Sequence, residues 1–520
     1  MTFTDKIDSA IGFFSTSIAV KRAKNRALLA LLSRAYDGAR TDRSNHGWLT
    51  DGGSADADII ENLPALRARC RDIEQSNGRG KGIVKTLLDN VIGNGIRPEP
   101  IIVESSLGIT PKRARKIEEE LKEFWRAFVP RADASRKCDF YGLQRQSLWA
   151  QVVNGESLYL PQSIEDKNSP VTLKLFGVES DRLSTPMDKV SNSLVHGGIQ
   201  VGARYGEPQR YFFSKTHPGD ESFAVPESNE FFTVNAEDRF GRKLVFHTFD
   251  QTRSGQTRGV PLFAPVLKAL YDQQKYLEAE RIAALLSACI GLIINDSSGM
   301  SGQNGTLTTV DNKVVEDYEP GMIWRGNGLD ITQINNQRPG DNFVVFIKDI
   351  DRTISNACGM SYELAMKDYS NANYSTLRAA LVDARRGFAV DQSRIVHSLC
   401  QPTWEHFVDE LVLSRKIKLP RYFEHRNQWL KTLWIPHGHD WIDPDKEVKA
   451  AKNALEIGIT TLKEVIAGRT GGNFRDTIKQ RGVEAELIEE AGLSPEPVET
   501  PAVSQKPKPK TESEEDTDES

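Results

Sequence analysis

Residues 266–289 form a run of 24 residues without glycine or proline, and this run constrains the fold more than any other part of the sequence. A helix of this length is about 36 Å long, at least the diameter of a small domain. Residues 341–358 show a second helical pattern, with apolar residues every three to four positions. A Gly-, Ser- and Asn-rich segment that lacks strand patterns, 295–341, separates the two. Two long helices around a short excursion predict a hairpin-like stalk with a small module at its tip.

A polar loop with aromatic residues, 366–374, follows the second helix. A further helical pattern then places apolar residues at Leu377, Leu381, Ala384, Phe388 and Ile395. Asp341 and Ser375 are the predicted N-caps of the helices before and after the loop, because their side-chain oxygens can accept the free amides of a first turn. The loop carries no catalytic constellation. Its composition favours a surface past which a partner moves or on which a partner docks.

The N-terminal half changes from helices to short strands. Residues 37–60 predict an exposed connector, and helical patterns follow at 66–91, 111–128 and 140–153. From 156–250 the apolar residues alternate over short runs, which predicts a β-rich region. Helix and loop then alternate in the C-terminal part, so the sequence predicts an α+β fold.

The two ends of the chain differ in composition from its middle. Residues 17–36 predict a basic amphipathic helix, which we expect to dock on a partner or on the fold itself rather than on a membrane surface. The tail 493–520 is rich in Pro, Lys, Ser and Glu and is predicted to be disordered. No apolar run approaches the roughly 18 residues of a membrane span, so no membrane partner is expected.

The overall charge limits the kinds of nucleic-acid binding that are open to this chain. The formal net charge is -5 and the sequence pI is about 6.1, so no global basic field attracts DNA. This argues against a protein that wraps DNA by neutralising its phosphates, but not against one that guides DNA. The five cysteines are scattered and form no CxxC pair, which argues against a zinc knuckle or a disulfide framework.

Two motifs resemble ligand sites, and neither is complete. The glycine-rich stretch 77–86 lacks the Gly-Lys-Ser/Thr ending of a phosphate-binding loop, so a basic turn that enters a helix is the favoured interpretation. His437, His439 and Asp440 suggest a metal site, but no further Cys or His ligand is obvious and a surface loop is favoured. There is no Gly-x-Ser-x-Gly motif and no recognisable triad spacing. We therefore predict no catalytic residue, no metal ligand and no cofactor.

Charged residues of both signs follow the long helix at a spacing of three to four. Pairing within the helix on a solvated face is one interpretation, and each such pair contributes a few tenths of a kcal/mol. Contact with neighbouring copies of the chain is the other, and the sequence favours neither. The residues are Lys268, Asp272, Lys275, Glu278, Glu280 and Arg281.

Several blocks of residues follow one another in a specific order along the chain. The early blocks are Asp89-Asn-Val-Ile-Gly-Asn-Gly95, Gly177-Val-Glu-Ser-Asp-Arg-Leu183 and Gln256-Thr-Arg-Gly-Val-Pro-Leu-Phe-Ala-Pro265. The later ones are Pro320-Gly321, Gly359-Met-Ser-Tyr-Glu-Leu364, Asp368-Tyr-Ser-Asn-Ala-Asn-Tyr-Ser375 with Arg378, and Ile442-Asp-Pro-Asp-Lys-Glu447. One block alone would be weak evidence, whereas the ordered set is specific. With these blocks the chain resembles the lambda family of portal proteins of tailed bacteriophages over roughly residues 60–480.

The resemblance implies a portal fold with an α/β wing, a two-helix stem, a small clip and a helical crown. The implied division is an N-terminal arm and connector (1–60), a wing (61–260), a first stem helix (261–293), a clip (294–340), a second stem helix (341–360), a channel loop (361–375), a long channel helix with a return to the wing (376–450), a crown (451–492) and an acidic tail (493–520). The implied subunit contacts of the stem are Lys268, Asp272, Lys275, Glu278 and Arg281.

The function implied by the resemblance is a non-enzymatic ring of about a dozen copies at one capsid vertex of the virion, assembled in the host cytoplasm. Double-stranded DNA passes through the ring without sequence-specific contacts, and the implied DNA-facing residues are Lys367, Asp368, Tyr369, Asn371 and Asn373. The implied protein partners are the terminase large subunit, which would supply ATP hydrolysis, a head–tail adaptor, and the major capsid and scaffold proteins. The alternatives are a phage DNA-processing enzyme such as a nuclease and a smaller head–tail adaptor, for which the chain is too long.

Overall fold

Helices and several small sheets make up the computed structural model, which describes residues 52–220, 230–296, 322–327, 343–438, 443–470 and 472–491 together with residues 21, 24, 47 and 49. The helices are α1 (Ala55–Ile60), α2 (Leu63–Ser76), α3 (Gly78–Val91), α4 (Glu104–Leu107), α5 (Pro111–Phe128), α6 (Phe140–Asn154), α7 (Leu267–Cys289), α8 (Phe343–Ala357), α9 (Tyr362–Met366), α10 (Tyr374–Ile395), α11 (Gln401–Leu413), α12 (Arg426–Trp429), α13 (Pro444–Glu456), α14 (Leu462–Thr470) and α15 (Phe474–Glu490). The strands are β1 (Arg97–Pro100), β2 (Glu156–Ser163), β3 (Leu173–Val178), β4 (Val195–His196), β5 (Ile199–Val201), β6 (Pro208–Ser214), β7 (Phe231–Asn235), β8 (Phe246–Phe249), β9 (Ile290–Asp296), β10 (Met322–Asn327) and β11 (Thr432–Ile435). This mixture of helix and sheet confirms the predicted fold class.

One continuous helix was predicted over 66–91, and this was wrong because the structure has two helices there, α2 and α3. Asn77 has an extended backbone, with φ -109° and ψ 117°, and its side chain accepts hydrogen bonds from the amides of Arg79 and Gly80. It therefore ends α2 and caps α3. The helices pack closely there, because a Cβ on Gly80 would lie 2.5 Å from the Cγ2 atom of Ile73. The glycine-rich stretch 77–86 therefore lies at the start of α3, in agreement with the interpretation of a basic turn that enters a helix.

The β-rich region predicted over 156–250 is confirmed as two antiparallel sheets. Strand β2 is central in a three-stranded sheet between β3 and β8, and β4 to β7 form a four-stranded sheet in sequence order. Apolar side chains that alternate along these strands meet in one buried cluster. Its members include Leu158, Leu160, Tyr211, Phe213 and Val245.

A second and larger core lies among the helices. The ring of Trp125 in α5 is 5.1–5.4 Å from the rings of Phe128, Phe140, Trp404 and Phe407, measured between centroids. Helices α5, α6 and α11 therefore meet at one aromatic cluster, although α11 is far away in sequence. Strand β1 pairs with β11 and joins the same two parts of the chain.

A buried ion network joins the three-stranded sheet to the helices beside it. The carboxylate of Glu156, at the first residue of β2, is fully buried and accepts hydrogen bonds from Arg67 (2.8 Å) and from Arg258 (2.9 and 3.1 Å from Nε). The amide of Gly259 and the ring of His247 each lie 3.0 Å from it. Burial favours the neutral acid, but the two guanidinium groups outweigh it and hold the pKa of Glu156 well below its usual range.

The stalk contains the two predicted helices and two strands that were not predicted. Helix α7 begins one residue after the start of the run 266–289 and ends at the same residue, Cys289. The first stem segment implied by the resemblance, 261–293, extends four residues further. Strand β9 follows α7 directly and pairs in parallel with β10, which lies in the segment 295–341 that was expected to be poor in strands. The apolar run 290–294 suits a strand, because β-branched residues favour the pleated conformation.

Two further predictions about local structure were wrong, and two features of the structure were not predicted. The end of the predicted connector, residues 55–60, is helix α1, with the hydroxyl of Ser54 accepting the amide of Ala57. Asn373, not Ser375, is the N-cap of α10. The short helix α9 was not predicted, and α10 continues through a π-helical turn, Val396–Cys400, into α11.

Some predictions concern residues outside the described part of the chain. They are the N-cap Asp341, the pair His439 and Asp440, the tail 493–520 and, apart from Lys21 and Lys24, the basic helix 17–36. Within the described part, no helix is both long and apolar enough to cross a membrane.

Candidate functional site

The loop 367–373 connects the short helix α9 to the long helix α10 and lies within the segment 361–375 that the resemblance implies is a channel loop. We call residues 367–373 the channel loop, and their place at a channel is a prediction. Lys367 ends α9 in the left-handed region, with φ 56°, and the amide of Ala372 donates to the carbonyl of Tyr369 at 3.2 Å. The middle of the loop is therefore a tight turn. Lys367, Tyr369 and Asn371 are exposed, and within the described residues their side chains make no hydrogen bond or ion pair. These three are free to meet a ligand.

Asp368 differs from its exposed neighbours because both of its oxygens have partners in the same chain. Oδ1 accepts from the amide (3.1 Å) and the hydroxyl (2.5 Å) of Ser370. Oδ2 accepts from the hydroxyl of Tyr362 at 2.8 Å and lies 3.4 Å from Nζ of Lys348. The Ser370 and Tyr362 hydroxyls hold the pKa of Asp368 below its usual range. Burial and the same Asp368 contact raise the pKa of Tyr362 to about 12.

Asn373 is also occupied by the fold. Its side chain accepts from the amide of Thr376 at 2.8 Å, while Oγ1 of Thr376 accepts from the amide of Asn373 at 3.0 Å. This reciprocal pair is a capping box, which satisfies two amides at the start of α10. Of the five residues implied to face DNA, Asp368 and Asn373 therefore serve the fold of the loop itself.

The base of the stalk is held by a polar cluster that the sequence did not predict. The carboxylate of Asp351 in α8 accepts from Nε of Arg79 in α3 and from the amide of Gln273 in α7, each at 2.7 Å. Higher up, the ring of Tyr276 in α7 lies 5.7 Å from the rings of Phe343 and Phe346. The two stalk helices thus pack on each other and on the helical core.

The implied stem contacts are on the exposed surface of α7. Lys268 and Asp272 pair within the helix, at 2.5 Å, and Nζ of Lys275 lies 4.5 Å from the ring centre of Tyr271. Glu278 and Arg281 are exposed. Intrahelical pairing therefore accounts for Lys268 and Asp272.

The stalk also exposes large apolar side chains, which the sequence analysis did not single out. Leu285 of α7 is 60% exposed, and Val344, Val345 and Phe346 of α8 are 55%, 67% and 53% exposed. Contiguous exposed apolar residues mark an interaction surface. Val344 and Val345 lie off the apolar stripe of α8, and this pattern in the sequence could have predicted their exposure.

One group of possible metal-ligating atoms occurs within the described residues, at Glu179, Asp181 and His217. A guanidinium nitrogen of Arg71 is 2.5 Å from Asp181, so the position already holds a positive charge. This arrangement is better suited to an ion-pair network than to a cation.

Comparison with known proteins identifies relatives along most of the chain. A family model described as phage portal protein, lambda family, matches residues 41–392. The probable portal protein of Halomonas phage phiHAP-1 is 25% identical over 475 residues, covering 89% of this chain and 88% of the relative. Portal protein B of Escherichia phage lambda is 24% identical over 503 residues, covering 89% and 92%. The portal protein of Escherichia phage N15 is 24% identical over 487 residues, covering 86% and 89%.

Solved structures with a similar chain include the neck of an empty gene transfer agent particle. That chain is 15% identical, with a TM-score of 0.45, and the match covers 78% of this chain and 94% of that one.

Proposed function

Because the chain belongs to the lambda family of phage portal proteins, we propose that its stalk, channel loop and C-terminal helices are arranged around a DNA channel. As a portal protein it is a non-enzymatic head–tail connector at the capsid vertex of the virion, where viral DNA is packaged and later ejected. The comparisons give no support to the alternative of a nuclease.

The observation that carries the finer proposal is the range of the family match, 41–392, which includes both stalk helices and the channel loop. On this basis we propose that α7 and α8 are the stem and that the segment between them is the clip. The helices after residue 450 lie beyond the matched range, and their proposed role as the crown rests on the order of the blocks in the sequence. The exposed apolar residues of the stalk support a ring, because a head-to-tail interface repeated around an axis buries them in every copy. We expect about a dozen copies.

The charge of the channel loop fits a channel that guides DNA without holding it. Each phosphate that a protein neutralises adds affinity, so a conduit needs few free cations. Lys367 is exposed and without an ion pair among the described residues, whereas the charge of Asp368 is balanced by Lys348. Tyr369 and Asn371 add contacts that carry no sequence information.

The proposed partners follow from the position of each part. We expect the clip to dock the terminase large subunit during packaging and a head–tail adaptor afterwards. The major capsid and scaffold proteins are the other expected partners. ATP hydrolysis would then belong to the terminase, in agreement with the incomplete phosphate-loop motif at 77–86.

Reversal of the charge at Lys367 tests the channel assignment. Lys367→Glu should leave assembly intact and lower the yield of DNA-filled particles, because the loop then repels phosphate. Lys418→Glu is the matched control, since this exposed lysine lies in the loop after α11. Particles are separated by density and their DNase-protected DNA is measured. An unaltered yield of filled particles from Lys367→Glu would contradict the channel role.

A further inference from the structure

We propose that Asp368 is a positioning residue that fastens the channel loop to the stem helix α8 through Lys348 and Tyr362, rather than a residue that contacts DNA. The contacts of Asp368 do not depend on the proposed function. Their effect on DNA packaging does, because it rests on the channel role of the loop.

The first support is the arrangement around the carboxylate. The amide and hydroxyl of Ser370 share Oδ1, and the hydroxyl of Tyr362 and the ammonium of Lys348 share Oδ2. One oxygen therefore holds the turn of the loop, and the other holds helices α9 and α8. A carboxylate with this set of partners has little capacity left for an outside ligand.

The second support is that α8 reaches α9 through a second residue one turn further on. Lys348 and Arg352 are four residues apart and so lie on one face of the helix. The guanidinium carbon of Arg352 is 5.8 Å from the centre of the Tyr362 ring, within cation–π distance. Tyr362 is thus held by Arg352 at its ring and donates to Asp368 at its hydroxyl.

The other end of the channel loop is attached to a different helix. The ring of Tyr374, the first residue of α10, lies 5.5 Å from Nζ of Lys446 in α13. Lys446 also pairs with Asp443 at 2.8 Å, and Asp443 caps α13. The exposed turn of the loop therefore lies between one attachment to α8 and one to α13.

This arrangement has a mechanical consequence. A displacement of α8 relative to α13 must either move the turn or break one of the attachments. The Lys348–Asp368 pair is the weaker link on the stem side, since both side chains are 29% exposed and the atoms are 3.4 Å apart. The loop is then positioned by the stem through a residue that lies outside the loop.

Hydrogen exchange at the amide of Ser370 reads this attachment directly, because that amide donates to Asp368. In the full-length protein, Lys348→Met and Asp368→Asn should each raise the exchange rate of Ser370 by about two- to fivefold, as expected for the loss of a partly exposed ion pair. The double variant should exceed the larger single effect only slightly, because both changes break the same interaction. The matched control is Asp349→Asn, an exposed neighbour on α8, which should leave the rate unchanged.

Two results would overturn the positioning role. One is an unchanged Ser370 exchange rate in Lys348→Met. The other is a double variant whose effect is the product of the two single effects.

The yield of DNA-filled particles separates this inference from the proposed function. If the stem positions the loop in the channel, Lys348→Met lowers the yield although it lies outside the loop. Faster exchange at Ser370 with an unaltered yield would support the attachment and contradict the channel role. A change of yield in Asp368→Asn without any change of exchange would instead indicate direct contact with DNA and overturn the inference.

Discussion

Replacement of Glu156 by glutamine tests the buried network that joins β2 to Arg67 of helix α2 and to Arg258. The carboxylate is fully buried and faces two guanidinium groups, those of Arg67 and Arg258, whose side chains are 4% and 3% exposed. Glutamine has nearly the same shape but carries no charge. Within the described residues, the variant therefore leaves Arg258 without a carboxylate partner and leaves Arg67 with only a longer contact to Asp181, at 3.5 Å.

The expected decrease in the free energy of unfolding follows from the number and burial of these contacts. Removal of one partner from a buried ion pair costs about 3–5 kcal/mol, because the remaining charge is left uncompensated. For a cooperative unit of about 150–250 residues, this corresponds to a fall of about 6–20 °C in the unfolding temperature. Asp272→Asn is the control, since it breaks an exposed pair with Lys268 that is worth about 0.2–1 kcal/mol.

The dependence on pH gives a second readout of the same network. The folded pKa of Glu156 is depressed, so its contribution is complete above the unfolded value of about 4.3 and is lost as the pH falls below it. The stability difference between wild type and Glu156→Gln should be constant from pH 6 to 8 and should shrink below about pH 4. Urea unfolding at several pH values measures this. A loss under 1 kcal/mol at pH 7, or a difference that persists unchanged at pH 3, would refute the reasoning.

Two further variants test backbone geometry and capping. Gly155→Ala should lower the unfolding temperature by an amount equivalent to about 1–3 kcal/mol or more, because φ is 91° and a Cβ would lie 2.5 Å from the carbonyl oxygen of Gly259. Gly482→Ala, within α15 and with no atom within 4 Å of the added Cβ, should be neutral or stabilising by up to about 1 kcal/mol. Asn373→Ala should destabilise the start of α10 by about 1 kcal/mol and speed exchange of the Thr376 amide, whereas Ser375→Ala should not. Equal effects at 373 and 375 would contradict the assigned cap.

Local patterns predicted the elements whose signals are local. Helix α5 was predicted over 111–128 and is observed over Pro111–Phe128, because its apolar stripe and its first-turn proline agree. Strand β9 was not predicted, because a short apolar run that follows a helix is compatible with either helix or strand. The break at Asn77 had a signal in the Asn-Gly pair, and the cap at Asn373 had one in the threonine three residues later.

The contacts that hold the base of the stalk come from distant parts of the chain, and no pattern in a window of sequence contains them. Arg79 meets Asp351 across 272 residues. The loop before α10 was predicted from its composition, and its place at a channel stays a prediction. Within the loop, Lys367 is exposed and Asp368 pairs with Lys348. This difference could not be predicted, because it depends on how α8 packs beside α9.

Cryo-electron microscopy of the purified full-length protein tests the central claim most directly. The account predicts closed rings with an axial opening, in which residues 367–373 of every copy lie at the wall of that opening and the apolar residues of α7 and α8 are buried between copies. Particles that remain monomeric at all concentrations, or rings in which residues 367–373 lie away from the axis, would contradict it.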